Sequence, residues 1–286
     1  MPMPLTIHPL SRHDMALALD WAAREGWNPG LEDAEAFHVA DPEGFLVGRV
    51  AGTPVSLISA VRYPPDFGFI GFYIVHPDWR GRGYGWATWQ RAMQHLAGRN
   101  IALDGVLAEQ DNYRRSGFAL AWRNVRYAGR TGAGAATGDA ELVDLKSPGP
   151  VTPAPLAAYD AHFFPADRRA FLAAWVTRPG SHALGLLRDG RLAGYGVIRP
   201  CRTGFKLAPL FADRPDDAER LFQALQARVP AGQPLFLDVP EPHAEAVALA
   251  VRHAMTPCFE TARMYTGPVP DIALARTYGI TSFELG

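Results

Sequence analysis

Residues 69–85, Phe-Ile-Gly-Phe-Tyr-Ile-Val-His-Pro-Asp-Trp-Arg-Gly-Arg-Gly-Tyr-Gly, leave the backbone few options. The apolar run from Phe69 to Val75 reads as a strand that stops at His76-Pro77. Beyond an Arg/Gly-rich turn, Trp86, Trp89, Met93 and Leu96 recur at helical spacing. The order is strand, glycine turn, helix. Gly81, Gly83 and Gly85 stand at alternate positions in the turn, where they let the backbone aim its N–H groups at one point. At a helix N-terminus such a point binds anions, because unpaired donors and the positive end of the helix dipole converge there. The expected ligand is a phosphate or pyrophosphate.

Other phosphate-binding turns have different spacings. A nucleotide P-loop places Lys-Ser/Thr after its last glycine, and here Gly85 is followed by Trp86-Ala87. The dinucleotide fingerprint needs Gly-x-Gly-x-x-Gly, which Gly81-x-Gly83-x-Gly85 does not supply. A glycine turn that only caps a helix is the structural alternative. The segment resembles the acyl-CoA-binding signature of the GNAT acetyltransferases, Gln/Arg-x-x-Gly-x-Gly/Ala. Arg80 stands at its first position and Gly83 and Gly85 at its glycines, and Val75-His76-Pro77 fits the Val-x-Pro that commonly precedes it. The resemblance implies acetyl-CoA as co-substrate. Its binding residues would be Ile74, Val75, Arg80, Gly81, Arg82, Gly83, Tyr84, Gly85, Trp86 and Asn112.

A second match lies downstream. Residues 101–107 read as a strand and 111–116 as a short helix, and Gly117-Phe118 opens a further strand. GNAT domains carry a tyrosine four residues before such a Gly-Phe, and here it is Tyr113. The resemblance makes Tyr113 the general acid that protonates the departing thiolate. A phenol with a pKa of about 10 suits that role, being protonated at neutral pH and close in acidity to an alkyl thiol. A half-buried helix aromatic is the structural alternative.

The acceptor side carries weaker signals. The loop Glu25-Gly26-Trp27-Asn28-Pro29-Gly30 lies between the first two helices, where this fold builds its acceptor cleft. Trp27 is a candidate pocket wall, or plain core. Asn28 is a candidate substrate contact, or the N-cap of a helix whose first residue is Pro29. Tyr73 joins them as a substrate-binding candidate. Asp104 is the catalytic candidate for orienting the amine, against a plain hydrogen-bonded turn acid, and Glu109 and His76 are further base candidates. The expected mechanism is direct attack in a ternary complex. Backbone N–H groups near the end of strand 69–75 polarise the thioester carbonyl, and Tyr113 protonates the sulfur.

Composition bounds the partners. The chain has 286 residues and a formal net charge of −1, and its first 130 residues hold 13 Arg against 13 Asp plus Glu. With no basic tail or stripe, neither nucleic acid nor anionic membrane is an expected partner. No apolar run approaches the roughly 18 residues that span a bilayer, and no signal peptide is evident, so a cytoplasmic location follows by default. Cys201 and Cys258 lie in the second half and make a disulfide framework improbable, and the nine His lack metal-ligand spacing, so no metal is expected. The oligomeric state stays open between monomer and homodimer.

The chain also looks duplicated. Gly52 and Gly190 are 138 residues apart, as are Pro77-Asp78 and Pro215-Asp216, and Ser116-Gly117-Phe118 stands 137 residues before His253-Ala254-Met255. Helices are expected at 14–25, 29–39, 84–97 and 111–116 of the first copy, among strands at 5–8, 44–50, 54–62, 67–75 and 101–107, with more to about 128. The second copy lacks the chemistry. Glu219 and Leu221 stand where the first has Gly81 and Gly83, and Ala250 stands for Tyr113. The fold class is a mixed α/β sheet, present as two tandem GNAT-like acyltransferase domains. The divisions are a catalytic domain at 1–130, a Gly-rich linker at 131–139 and a degenerate, non-catalytic domain at 140–286 that covers the acceptor cleft. The function is acetyl transfer to a primary amine of a small molecule. Alternatives are a protein N-acetyltransferase or a non-catalytic acyl-CoA sensor.

Overall fold

A computed structural model describes residues 4–132 and 141–286. Most of the expected linker, 133–140, lies outside the described residues. The first half runs β1 (Leu5–Pro9), α1 (Met15–Arg24), α2 (Asp33–Ala40), β2 (Phe45–Val50), β3 (Thr53–Tyr63), β4 (Phe67–Val75), α3 (Tyr84–His95), β5 (Asn100–Val106), α4 (Gln110–Arg115) and β6 (Ala119–Arg130). The second runs β7 (Leu142–Asp144), α5 (Pro153–Asp160), α6 (Arg169–Thr177), β8 (His182–Arg188), β9 (Arg191–Pro200), β10 (Phe205–Ala212), α7 (Pro215–Gln226), β11 (Pro234–Pro240), α8 (Ala244–Arg252), β12 (Thr256–Tyr265) and β13 (Thr277–Gly279).

The two halves repeat one plan down to their turns. The β2–β3 hairpin turns through Ala51-Gly52 and the β8–β9 hairpin through Asp189-Gly190, all four residues at positive φ. Such paired left-handed residues match the twist of the flanking strands. Gly117 after α4 and Ala254 after α8 both turn at positive φ, at 90° and 53°.

The halves do not keep separate sheets. The thirteen strands form one sheet in the order β1-β2-β3-β4-β5-β12-β6-β11-β10-β9-β8-β7, with β13 on β10. The last long strand of each half is exchanged. β12 from the second half lies antiparallel to β5, with Arg263 opposite Asp104, and β6 from the first lies antiparallel to β11, with Arg126 opposite Asp238. β12 and β6 pair with each other along nearly their whole length. Between the helices, Phe37 of α2 stacks on Trp175 of α6 at 5.9 Å, inside a core cluster drawn from both halves.

Helix α2 begins at Asp33, four residues later than the expected start at Pro29. The intervening loop is zipped to the second half. The Leu31 N–H donates to the Pro200 carbonyl at 3.1 Å, and the Arg202 N–H donates to the Pro29 carbonyl at 3.2 Å. Asn28 sits in the left-handed region at φ 53° and is not the cap.

Candidate active site

The site begins with a failure of strand pairing. β4 and β5 run parallel from Phe67↔Asn100 to Ile70↔Leu103, and there the ladder ends. On its other edge β4 carries a bulge, Gly71 facing Ser59 and Ile74 facing Leu57, with Phe72 between them at φ 47°. A bulge bends and twists its strand. Here it swings residues 72–75 away from β5, whose far edge stays bound to β12. The wedge is a cavity of about 540 Å³, lined on the first half by Trp27, residues 70–75, Arg80, residues 103–106, Glu109 and Tyr113. Phe259, Thr261, Phe283 and Glu284 line it from the second half.

At one end of the wedge lies the glycine turn. Gly81 and Gly83 have φ of 74° and 83°, conformations that only glycine adopts without strain. Gly83 is the N-cap of α3, and the Ala87 N–H donates the first helical bond to its carbonyl at 3.1 Å. The amides of Tyr84, Gly85 and Trp86 are thereby left without helical partners, as in the first turn of any helix. Gly85 serves packing, since a Cβ there would lie 2.8 Å from Val75 Cγ2 and 2.9 Å from the Tyr73 hydroxyl. Arg80 donates to the Val75 carbonyl at 3.0 Å and to Glu25 at 2.5 Å, bracing the turn against the mouth of the wedge. Arg82 lies over the Trp79 ring, and Trp86 is 58 % exposed beside the free amides.

Tyr113 and Tyr73 line the inner wall. Tyr113 is buried against Trp89 and Phe118, and Gly105 clears room for its ring, since a Cβ there would come within 2.2 Å of Tyr113 Cε2. Its hydroxyl has no hydrogen-bond partner among the described residues. Burial, together with the nearby Glu109 carboxylate, pushes the Tyr113 phenol above its usual value and keeps it protonated. The same causes push Tyr73 up to about 12. Asn112 lies on exposed α4, bonded to Glu109 and Arg115.

Three expected residues sit otherwise than the sequence suggests. Asp104 lines the cleft, but its side chain is buried and both oxygens are engaged. Arg263 of the exchanged strand donates at 2.9 and 2.6 Å, and Asn124 donates at 2.7 Å. A carboxylate so held is poorly placed to orient an amine. Asn28 is outside the cleft, exchanging hydrogen bonds with the Thr203 backbone at 3.0 and 2.8 Å. His76 packs on Trp21 and is likewise outside the cleft. Trp27 is a wall of it, held by the Arg126 guanidinium donating to its carbonyl at 2.9 Å. Among the described residues no group of three or more metal-ligating side chains occurs, and no helix is long and apolar enough to cross a membrane.

The contribution of β12 and residues 283–284 is absent from any reading of local sequence. Glu284 carried one signal, an acid enclosed in the apolar run Phe283-Glu284-Leu285.

A parallel-strand wedge with a glycine turn and free helix amides at its mouth defines an acyl-CoA-dependent acyltransferase fold. The chain belongs to the GNAT acyltransferases and carries two such domains. Residues 12–118 match the Acetyltransferase (GNAT) family, and residues 156–279 match a further Acetyltransferase (GNAT) domain. A protein of Pseudoalteromonas sp. (strain SANK 73390) described as holothin acyltransferase is 29% identical over 287 residues, covering 98% of this chain and 94% of that one. A Yersinia pestis acetyltransferase is 35% identical over 86 residues, 30% of this chain and 60% of its own. The fold matches the crystal structure of a Pyrococcus horikoshii protein assigned to the acetyltransferases, with a TM-score of 0.80 and 21% identity over 99% of this chain and 96% of that one. It also matches a tandem GNAT protein from the clavulanic acid biosynthesis pathway, with a TM-score of 0.64 and 16% identity over 93% of this chain and 100% of that one.

Proposed function

We propose that the chain is a cytoplasmic, acetyl-CoA-dependent N-acetyltransferase that acylates the amine of a small molecule within the β4–β5 wedge. The observation that carries this reading is the wedge itself: one cavity runs from Arg80, which leads into the glycine turn of α3, to Tyr113, whose hydroxyl has no hydrogen-bond partner among the described residues. The residues suit an acyl-CoA. The α3 amides and the positive helix end receive a pyrophosphate. The strand edges left unpaired beyond Ile70 and Leu103 offer backbone groups to an extended pantetheine arm and to the thioester carbonyl.

Tyr113 stands where it can give a proton to the leaving sulfur. Its raised pKa does not argue against the role, because the walls that destabilise a phenolate destabilise a thiolate in the same site. Most of the acceleration comes from holding amine and thioester in register. A small-molecule acceptor is favoured by the modest size of the cleft, about 540 Å³, and the name of the Pseudoalteromonas relative, holothin acyltransferase, makes holothin a candidate to try.

In the second half the corresponding wedge is filled. β10 and β11 pair from Phe205↔Leu235 to Leu207↔Leu237, and β13 then takes the edge of β10 at Leu210 and Phe211. The first turn of α7 carries Asp216 and Asp217 in place of free glycines, and Asp217 is tied to Arg188. On this reading residues 1–130 supply the donor site, and the described residues of the second half supply no second one.

Acetyl-CoA turnover, read as free thiol with holothin and a panel of small amines, tests the reading, with Tyr113→Phe as control. The expected result is turnover by the parent and a loss of about 10²–10⁴-fold in the variant, with acetyl-CoA binding retained. Binding without turnover of any amine would favour a sensor, which has no use for a proton donor.

A further inference from the structure

Four acidic residues line the cleft, and the carboxylates of three are engaged: Glu25 by Arg80, Asp104 by Arg263 and Asn124, and Glu109 by Asn112. The fourth is Glu284, only 4 % exposed, and its carboxylate has no hydrogen bond or ion pair among the described residues. Leaving such a group buried and unpaired costs free energy. Arg126, Arg199 and Lys206, on the strands behind it, offset that cost through the field alone.

The position of Glu284 is fixed by its backbone. A Cβ on Gly71 would lie 2.2 Å from the Glu284 carbonyl oxygen, so the segment rests directly on β4 beside the bulge. The Ser59 hydroxyl donates to that oxygen at 3.5 Å, and the Tyr63 hydroxyl donates to the Leu285 carbonyl at 3.2 Å. The Leu285 N–H donates to Ser282 Oγ at 2.9 Å. The same cavity is lined by Trp27, Phe259 and Phe283, the last two with ring centroids 6.0 Å apart. One more polar atom lacks a partner there, the buried Thr261 Oγ1 on the exchanged strand.

We propose that Glu284 is the base that takes the proton of the acceptor amine. The acceptor is an amine on a flat, largely apolar frame, seated among Trp27, Phe259 and Phe283, with the Thr261 hydroxyl as its polar anchor. The inference rests on the wedge being the acyl-transfer site. In the step, the nitrogen lone pair forms the N–C bond to the thioester carbonyl carbon. One N–H bond breaks, its proton passing to Glu284. The C–S bond breaks with its electron pair going to sulfur, which takes the proton of the Tyr113 hydroxyl. The carboxylic acid and phenolate left behind reset by proton exchange through water in the cleft.

The test compares the parent with Glu284→Gln, using acetyl-CoA and three acceptor probes: tryptamine, spermidine and glucosamine. Thermal stabilisation by acetyl-CoA is measured first and needs no acceptor. It is expected to be equal in both proteins, and its absence in the parent would refute the acyl-transfer reading itself. With tryptamine the variant's kcat is expected to fall by about 10²–10⁴-fold while its KM stays within a few-fold of the parent's. Equal stabilisation by acetyl-CoA also shows that the variant keeps the donor site, so that a loss of kcat is read on a folded protein. Unchanged turnover would overturn the role of Glu284. A parent that prefers spermidine or glucosamine, or turns over none of the three, would overturn the acceptor class.

Discussion

At the scale of single residues, the cleft separates acids that hold the fold from those free to act. Asp104 is of the first kind. It joins β5 to β12 through a two-bond ion pair with Arg263, whose guanidinium lies 5.0 Å over the Phe69 ring. Removing one partner of a buried pair leaves the other charge stranded, which costs about 3–5 kcal/mol. Asp104→Ala should therefore lower the unfolding free energy measured in urea by that much, with a matching fall in the midpoint. A midpoint unchanged, with activity abolished, would return Asp104 to the chemistry. Residue identity alone does not distinguish these roles, because the partner that decides lies 159 positions away.

At the scale of elements, local pattern and long-range placement part company. The strand–turn–helix at 67–95, the α4 turn into Gly117 and the repeated hairpins follow from apolar spacing and glycine positions, and all were legible. The exchange of β6 and β12 was not, since an apolar strand specifies its faces but not its neighbours. Nor was β13, three residues whose place is set by the gap between β10 and β11. The late start of α2 has the same origin, a loop held by residues 200–203 of the other half. The exchange bears on what residues 1–130 can do as a separate fragment. Without β12, that fragment exposes one edge of β5 and leaves β6 with no neighbour. Such a fragment should be aggregated or largely unfolded by size-exclusion chromatography and circular dichroism, and adding 140–286 in trans should restore a 1:1 complex. A soluble fragment with native-like dispersion in its NMR spectrum would contradict this.

At the scale of the whole molecule, one half carries most of an open wedge and the other completes its lining. The sheet is continuous, and buried ion pairs cross between the halves. Asp33 of α2 takes Arg178 and Arg199, and Arg126 of β6 takes Asp238 of β11. Residues 277–286 then do two things in sequence: β13 fills the wedge of the second half, and Phe283 and Glu284 enter that of the first. The central claim is that the chain holds one acyl-CoA, at the turn of Gly81, Gly83 and Gly85. Calorimetric titration of the full chain with acetyl-CoA tests it most directly, run beside Gly83→Val. Valine there must adopt a φ near 83°, which strains the turn although the space around it is open. The prediction is a stoichiometry near one for the parent and no heat of binding for a variant that stays folded. Two equivalents per chain, or unaltered binding by the variant, would contradict it.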